Sequence, residues 1–115
     1  MAMIFKICRA AEWVEAERSG VFRGSAIDLS DGYIHFSTAA QVAETAARHF
    51  ADQADLVLVA VDATTFGDKL KWEPSRAGAL FPHLYAALPV RAAVWVKPLP
   101  LDAEGRHVFP PEMGD

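Results

Sequence analysis

Short apolar segments alternate with amphipathic segments in the first half of the chain, and this pattern predicts strands and helices in turn. Met3–Arg9 is rich in apolar residues and predicts a first strand. Ala10–Ser19 predicts a helix, because Gly20 suits the left-handed residue that often follows a helix end. Val21–Ser30 shows no hydrophobic period and predicts an irregular loop.

A second strand and a second helix are predicted next, followed by a strongly apolar run. Tyr33–Phe36 predicts the strand. Thr38 and Gln41 have the capping-box spacing of a helix start. The helix is expected to run to about Phe50, with an apolar residue at every fourth position. Leu56–Val61 is continuously apolar, which predicts a central strand buried on both faces.

The second half of the chain predicts mainly extended segments. These segments are Leu70–Glu73, Phe81–Tyr85 and Val90–Lys97, with a short edge strand at His107–Phe109. Strands that follow early helices indicate an α+β fold rather than a regular doubly wound fold. We therefore predict one domain over residues 1–115, with a mixed, mainly antiparallel sheet, two helices and a short Pro-rich tail at about 110–115.

Composition narrows the class of protein. A chain of 115 residues is long enough for one domain with its own core. The single cysteine, Cys8, excludes a disulfide framework. The net charge is −4 and no basic run occurs, so the sequence predicts no nucleic-acid partner. The absence of a long apolar segment predicts no membrane partner and a cytoplasmic location.

The first candidate site lies in the segment that leads into the second helix. Tyr33, His35 and Ser37 should share one face of a strand, and Thr38 should begin the helix. Free amides at a helix start and the helix dipole favour anions, and the same dipole should keep His35 neutral. The alternative is structural: the two hydroxyls cap the helix, and His35 is a half-buried histidine with satisfied hydrogen bonds.

The second candidate site is the segment around His83. Phe81, His83 and Tyr85 should share a face, and they would suit a flat ring. Pro82 lacks an N–H group, which predicts an edge or irregular position. An aromatic core cluster with one polar group is the alternative.

The third candidate is Glu73, at the end of a predicted strand and close to Arg76. A carboxylate in this position can reach into a cleft, or it can pair with Lys71 or Arg76 in solvent. No motif with metal-ligand spacing occurs, so the sequence predicts no metal site.

Two segments together carry a family resemblance. Gly32–Thr38 and Phe81–Tyr85 resemble the small bacterial proteins called domain of unknown function 952. The resemblance implies a fold similar to that of the ADP-ribosyltransferase group, whose members use NAD. In that group a strand-borne His or Arg grips the ribose, Ser or Thr supports it, aromatic rings hold the nicotinamide, and a later Glu stabilises the ribosyl cation.

Carried onto this chain, the resemblance implies a ribose-gripping His35 with a supporting Ser37 and Thr38. It further implies a ring clamp and a charge-stabilising Glu73. The candidate set comprises His35, Glu73 and His83 as catalytic residues, and Tyr33, Ser37, Thr38, Arg76, Phe81 and Tyr85 as ligand-binding residues.

One departure from the family pattern affects the site, because Lys6 stands where members often carry a histidine. Three functions are consistent with the sequence. The first is an ADP-ribosyltransferase-like enzyme that uses NAD or an ADP-ribose compound. The second is a non-catalytic module that binds a phosphorylated or nucleotide-like ligand. The third is a structural protein without a ligand, in which both histidine segments pack shut.

Overall fold

The computed structural model describes residues 2–113, apart from the side chain of Arg76. The α-helices in this range are α1 Ala10–Ser19, α2 Ala26–Asp31 and α3 Ala39–His49. The strands are β1 Met3–Arg9, β2 Val21–Phe22, β3 Ile34–His35, β4 Leu56–Asp62, β5 Leu70–Pro74, β6 Leu80–Leu84, β7 Leu88–Pro89 and β8 Ala93–Pro98. Four 3₁₀ segments, Ala63–Lys69, Arg76–Gly78, Val90–Ala92 and Pro111–Met113, complete the order.

The strands form three small antiparallel sheets, in the orders β1-β4-β8, β2-β7 and β3-β6-β5. Phe5 and Ser37 form a single antiparallel bridge between the first and third sheets, with N···O distances of 2.8 and 2.9 Å. The molecule is a compact α+β domain, as predicted. The expected single mixed sheet with two helices is wrong in detail, since the described strands pair only antiparallel and three α-helices are present.

The central strand of the first sheet confirms its predicted burial. In β4, Val59 and Val61 belong to one core cluster, whereas Leu58 and Ala60 belong to another. Successive side chains of a strand point to opposite faces, so both faces of β4 are covered. The third helix lies over one of them, because Val42 of α3 packs in the second cluster.

The predicted loop over Val21–Ser30 is wrong, because this segment contains β2 and most of α2. Ser25 and Asp28 form a capping box at the start of α2. Gly32 ends the helix with φ 89°, a left-handed conformation that glycine adopts without steric cost. The helix has only six residues, too few for a hydrophobic period to show.

Pro82 does not lie at an edge, because β6 is the middle strand of its sheet. Its carbonyl accepts a hydrogen bond from the N–H of Phe36, which is the residue just beyond the end of β3. The N–H that proline lacks would also face Phe36, which lies beyond the last residue of β3, so no regular β3–β6 hydrogen bond is lost. A central position is therefore tolerated here.

The C-terminal segment is less regular than predicted. His107 makes an isolated bridge with Leu101, so the expected edge strand at His107–Phe109 is reduced to one bridge in the described chain. Phe109 and Met113 pack against the second core cluster, which holds part of the Pro-rich segment on the domain. Residues 114–115 of the predicted tail lie outside the described residues.

Candidate functional site

The two histidine segments meet directly in the third sheet. His35 of β3 is the register partner of His83 of β6, and their ring centroids are 5.5 Å apart. The ring of Tyr33 contacts both, at 4.6 Å from His35 and 4.1 Å from His83. Strand pairing thus brings together two imidazoles that lie far apart in the sequence.

Both histidines line one cavity of about 490 Å³. Polar groups in its wall come from several elements: Lys6, Asp31, His35, Ser37, Thr45, His49, Ser75 and His83. The rings of Phe5, Phe36 and Phe81 supply apolar surface. This volume and this mixture of apolar walls with a few polar groups are typical of small-molecule sites.

Each ring nitrogen of His35 lies within hydrogen-bond distance of a carboxylate oxygen. Nδ1 lies 2.6 Å from Oδ1 of Asp28, and Nε2 lies 3.0 Å from Oδ2 of Asp31. Only the imidazolium form donates from both nitrogens. Each ring nitrogen of His35 therefore faces a hydrogen-bond acceptor, which the sequence did not indicate, because both carboxylates come from α2.

Asp28 is the centre of a buried polar network. It is 1% exposed, and its oxygens lie 2.7 and 3.0 Å from Nζ of Lys6. Its carboxylate also accepts hydrogen bonds from the backbone N–H groups of Ser25 and His35. Burial alone would raise the pKa of Asp28, but the bond with His35 and the charge of Lys6 outweigh it and lower the pKa to about 2.

Glu73 lies against the other histidine. Its Oε1 is 2.7 Å from Nδ1 of His83 and accepts a 2.8 Å hydrogen bond from the hydroxyl of Tyr85. The bond with His83, followed by the bond with Tyr85, lowers the pKa of Glu73. The bond with Glu73 raises the pKa of Tyr85 to about 12. The carboxylate is therefore ionised at neutral pH and fixes the orientation of His83.

Ser37 lies inside the site, whereas Thr38 does not. Ser37 is buried, and its hydroxyl lies 3.0 Å from that of Thr45 in the cavity wall. Thr38 caps α3, and its backbone N–H donates to Oε1 of Gln41 over 3.0 Å. Within α3, the lining residues are Thr45 and His49, so the cavity follows later turns of the helix rather than its first turn.

Comparison with known proteins places this architecture in a family. A family model described as "Protein of unknown function (DUF952)" matches residues 7–96. The chain belongs to this family. The X-ray crystal structure of protein CC0527 from Caulobacter crescentus is similar, with a TM-score of 0.92 and 49% identity over 96% of this chain and 97% of that chain. The solution NMR structure of CC0527 gives a TM-score of 0.84 and 52% identity over 92% of this chain and 91% of that chain. No curated protein matches the sequence.

In this DUF952 protein the predicted site residues fall into two groups. His35, Ser37, Phe81 and His83 line the cavity. Tyr33, Glu73 and Tyr85 lie next to the histidines in an outer cluster, with the rings of Tyr33 and Tyr85 5.2 Å apart. Phe81 and Tyr85 therefore do not both face the cavity as a pair. Arg76 was predicted to bind the ligand, and its side chain lies outside the described part of the structure.

Sequence reasoning missed the carboxylates that hold His35. Asp28 lies in the segment predicted as an irregular loop, and Asp31 directly follows that segment. The Ser25-to-Asp28 spacing of a capping box, followed by Gly32, is the signal that would have indicated a short helix there. Lys6 is an ion-pair partner of Asp28 and part of the cavity wall.

Two other kinds of feature, a metal-binding cluster and a membrane-spanning helix, are absent from the described residues. Across residues 2–113, no group of three or more His, Cys, Asp or Glu side chains is arranged to hold a metal ion. The helices of this same range are too short or too polar to cross a bilayer.

Proposed function

We propose that the protein binds NAD or a related ADP-ribose nucleotide in the cavity shared by His35 and His83. The observation that carries the proposal is the cross-strand pairing of the two histidines within one cavity of about 490 Å³. The hydroxyl of Ser37 suits a ribose or phosphate oxygen, and the ring of Phe81 suits a flat base. An ADP-ribosyltransferase-like fold, implied by the two histidine motifs, belongs to the same proposal.

For His35 to grip a ribose, the ligand has to replace Asp31. Both ring nitrogens of His35 are engaged, and only the contact at Nε2 involves an exposed partner, since Asp31 is 40% exposed. Asp28, by contrast, is buried and held by four donors. We therefore expect ligand hydroxyls to take the place of Asp31 at Nε2, while Asp28 keeps its bond at Nδ1.

Loss of the His35 side chain should remove nucleotide binding. His35→Ala deletes the proposed ribose contact, and we expect affinity for NAD and ADP-ribose to fall at least about tenfold, as for loss of a charge-assisted hydrogen bond. Isothermal titration calorimetry measures the effect. His107→Ala is the matched control, because His107 bonds to the carbonyl of Gln53 and is not in the cavity wall. Absence of wild-type binding at millimolar NAD would refute the proposal.

Neutralising Asp31 should strengthen binding of anionic nucleotides. Asp31→Asn removes a negative charge from the cavity wall and weakens the contact that the ligand must displace. We expect about fivefold tighter ADP-ribose binding at low salt and a smaller gain at high salt. Glu15→Gln, a charge loss at an exposed position of α1 outside this cavity, serves as the control. Weaker binding by Asp31→Asn would show that Asp31 contacts the ligand instead.

A non-catalytic binding module is the second candidate function. The observation that favours it is the position of Glu73, which supports His83 from outside the cavity wall as far as the structure is described. Glu73 bonds to His83 and is not among the residues that line the cavity, so a module that only binds a ligand needs no further role for this carboxylate.

A further inference from the structure

We propose that His83 is a general base that activates the acceptor, a water molecule or a hydroxyl group, for attack on the ribose carbon of the bound nucleotide. Glu73 is then a positioning residue that acts through His83. This inference rests on the proposed function, because it requires NAD to lie in the cavity of His35 and His83. It assigns a reaction where the binding proposal alone assigns none.

The contact with Glu73 determines which nitrogen of His83 is available. A carboxylate oxygen 2.7 Å from Nδ1 accepts a hydrogen bond, so Nδ1 carries a hydrogen. In the neutral ring the lone pair is then on Nε2, which has no hydrogen-bond partner among the described residues. His83 is only 3% exposed and lines the cavity. A carboxylate that fixes the tautomer of a cavity histidine is the arrangement that general bases use.

The two histidines differ in their hydrogen-bond partners. His35 has a carboxylate at each nitrogen and is held as a donor. His83 has a carboxylate at one nitrogen and keeps the other for accepting a proton. Different partners allow two like side chains to take different roles, so in the proposed reaction His35 donates hydrogen bonds and His83 is the base. The two ring centroids are 5.5 Å apart, so His83 can take a proton from an acceptor that attacks a ribose bound by His35.

The proposed step is balanced without any further reactant when water is the acceptor. Nε2 of His83 takes a proton from water while the water oxygen bonds to the anomeric carbon. The bond from that carbon to the nicotinamide nitrogen breaks, and its electron pair returns to the ring nitrogen. The products are nicotinamide and ADP-ribose, and His83 then releases its proton to solvent.

Several groups face His83 and will shape its pH profile. Lys71 is its register partner on β5, and Glu73 bonds it from the same strand. His35 and Tyr33 contact its ring from the segment of β3. Because Glu73 carries the negative charge nearest to the ring, its removal should make the protonated form of His83 less stable.

The test combines nicotinamide release with NAD binding by calorimetry. We expect the wild type to release nicotinamide from NAD. Its kcat should fall at low pH, where a protonated His83 cannot act as a base, and this fall is the acidic limb of the pH–rate profile. His83→Gln should reduce kcat by about 10²–10⁴-fold with little change in NAD affinity. Glu73→Gln keeps a hydrogen-bond acceptor but loses the charge, and it should reduce kcat by at least about tenfold and move the acidic limb to lower pH. His107→Gln is the control, because it removes an imidazole outside the cavity.

The outcomes separate this inference from the binding proposal. Wild-type protein that binds NAD but releases no nicotinamide between about pH 5 and 9 overturns the general base and leaves the binding proposal intact. Wild-type protein that does not bind NAD overturns both. If His83→Gln fails to fold, Glu73→Gln provides the test of the general base. We expect that variant to fold, since Glu73 is 35% exposed. An unchanged pH profile in a folded Glu73→Gln variant would contradict the inference.

Discussion

Replacing Asp28 with asparagine should lower the free energy of unfolding by about 3–5 kcal/mol, the typical cost of removing one partner from a buried ion pair. Lys6 is 4% exposed and has both oxygens of Asp28 within 3.0 Å. The neutral amide would leave the buried ammonium without a counter-charge, and its NH₂ group would face other donors. Urea denaturation with an unchanged m value measures the loss.

Two further variants test whether the buried charge is the cause. Asp31→Asn alters the same helix at an exposed position, and we expect a loss below about 0.5 kcal/mol. The double variant Lys6→Met with Asp28→Asn removes both charges, and it should recover part of the stability lost in Asp28→Asn alone. A loss below about 1 kcal/mol in Asp28→Asn would contradict the proposed energetic role of the network.

Acid should remove the contribution of Asp28 over a defined pH range. The pKa of Asp28 is lowered to about 2 in the folded protein, whereas an unfolded aspartate has a pKa of about 3.9. A carboxyl group with a lowered folded pKa stabilises the protein fully above its unfolded pKa. That contribution is lost as the pH falls from about 4 to about 2, and it amounts to about 2 kcal/mol.

The difference in unfolding free energy between the wild type and Asp28→Asn isolates the contribution of Asp28. The pKa of Glu73 is also lowered, so the pH dependence of the wild type contains more than one carboxyl group. Unfolding measured from about pH 5 to 2 in wild type and Asp28→Asn should show the stability gap narrowing by about 2 kcal/mol. A gap that stays constant over this range would show that Asp28 has no lowered pKa in the folded state.

The elements that the sequence predicted well are those with long, regular patterns. The structure confirms β1 and α1 at their predicted bounds, and it confirms the burial of β4 on both faces. The helix α2 was missed because its six residues are too few to show a hydrophobic period. The prediction of an edge position for Pro82 was wrong because a missing N–H excludes a central strand only where the adjacent strand would bond to that N–H. Here β3 ends before it reaches Pro82.

For the candidate site, local patterns indicated the participants but not their partners. Strand alternation predicted one face for Phe81, His83 and Tyr85; Phe81 and His83 line the cavity, whereas Tyr85 bonds to Glu73 in the outer cluster. No pattern showed that His35 would be held by two carboxylates from the preceding helix. Likewise, the position of Glu73 at a strand end did not show whether it faces the ligand or a histidine.

By itself, the sequence determined the α+β class, the principal helices and the two histidine segments, because these follow from hydrophobic period and from the chemistry of single residues. Tertiary structure alone decided that the histidines pair across β3 and β6, and that Asp28 links Lys6 to His35. The reason is that register and burial depend on contacts between distant parts of the chain. Those contacts also decide which carboxylate meets which imidazole: Asp28 and Asp31 bond to His35, and Glu73 bonds to His83.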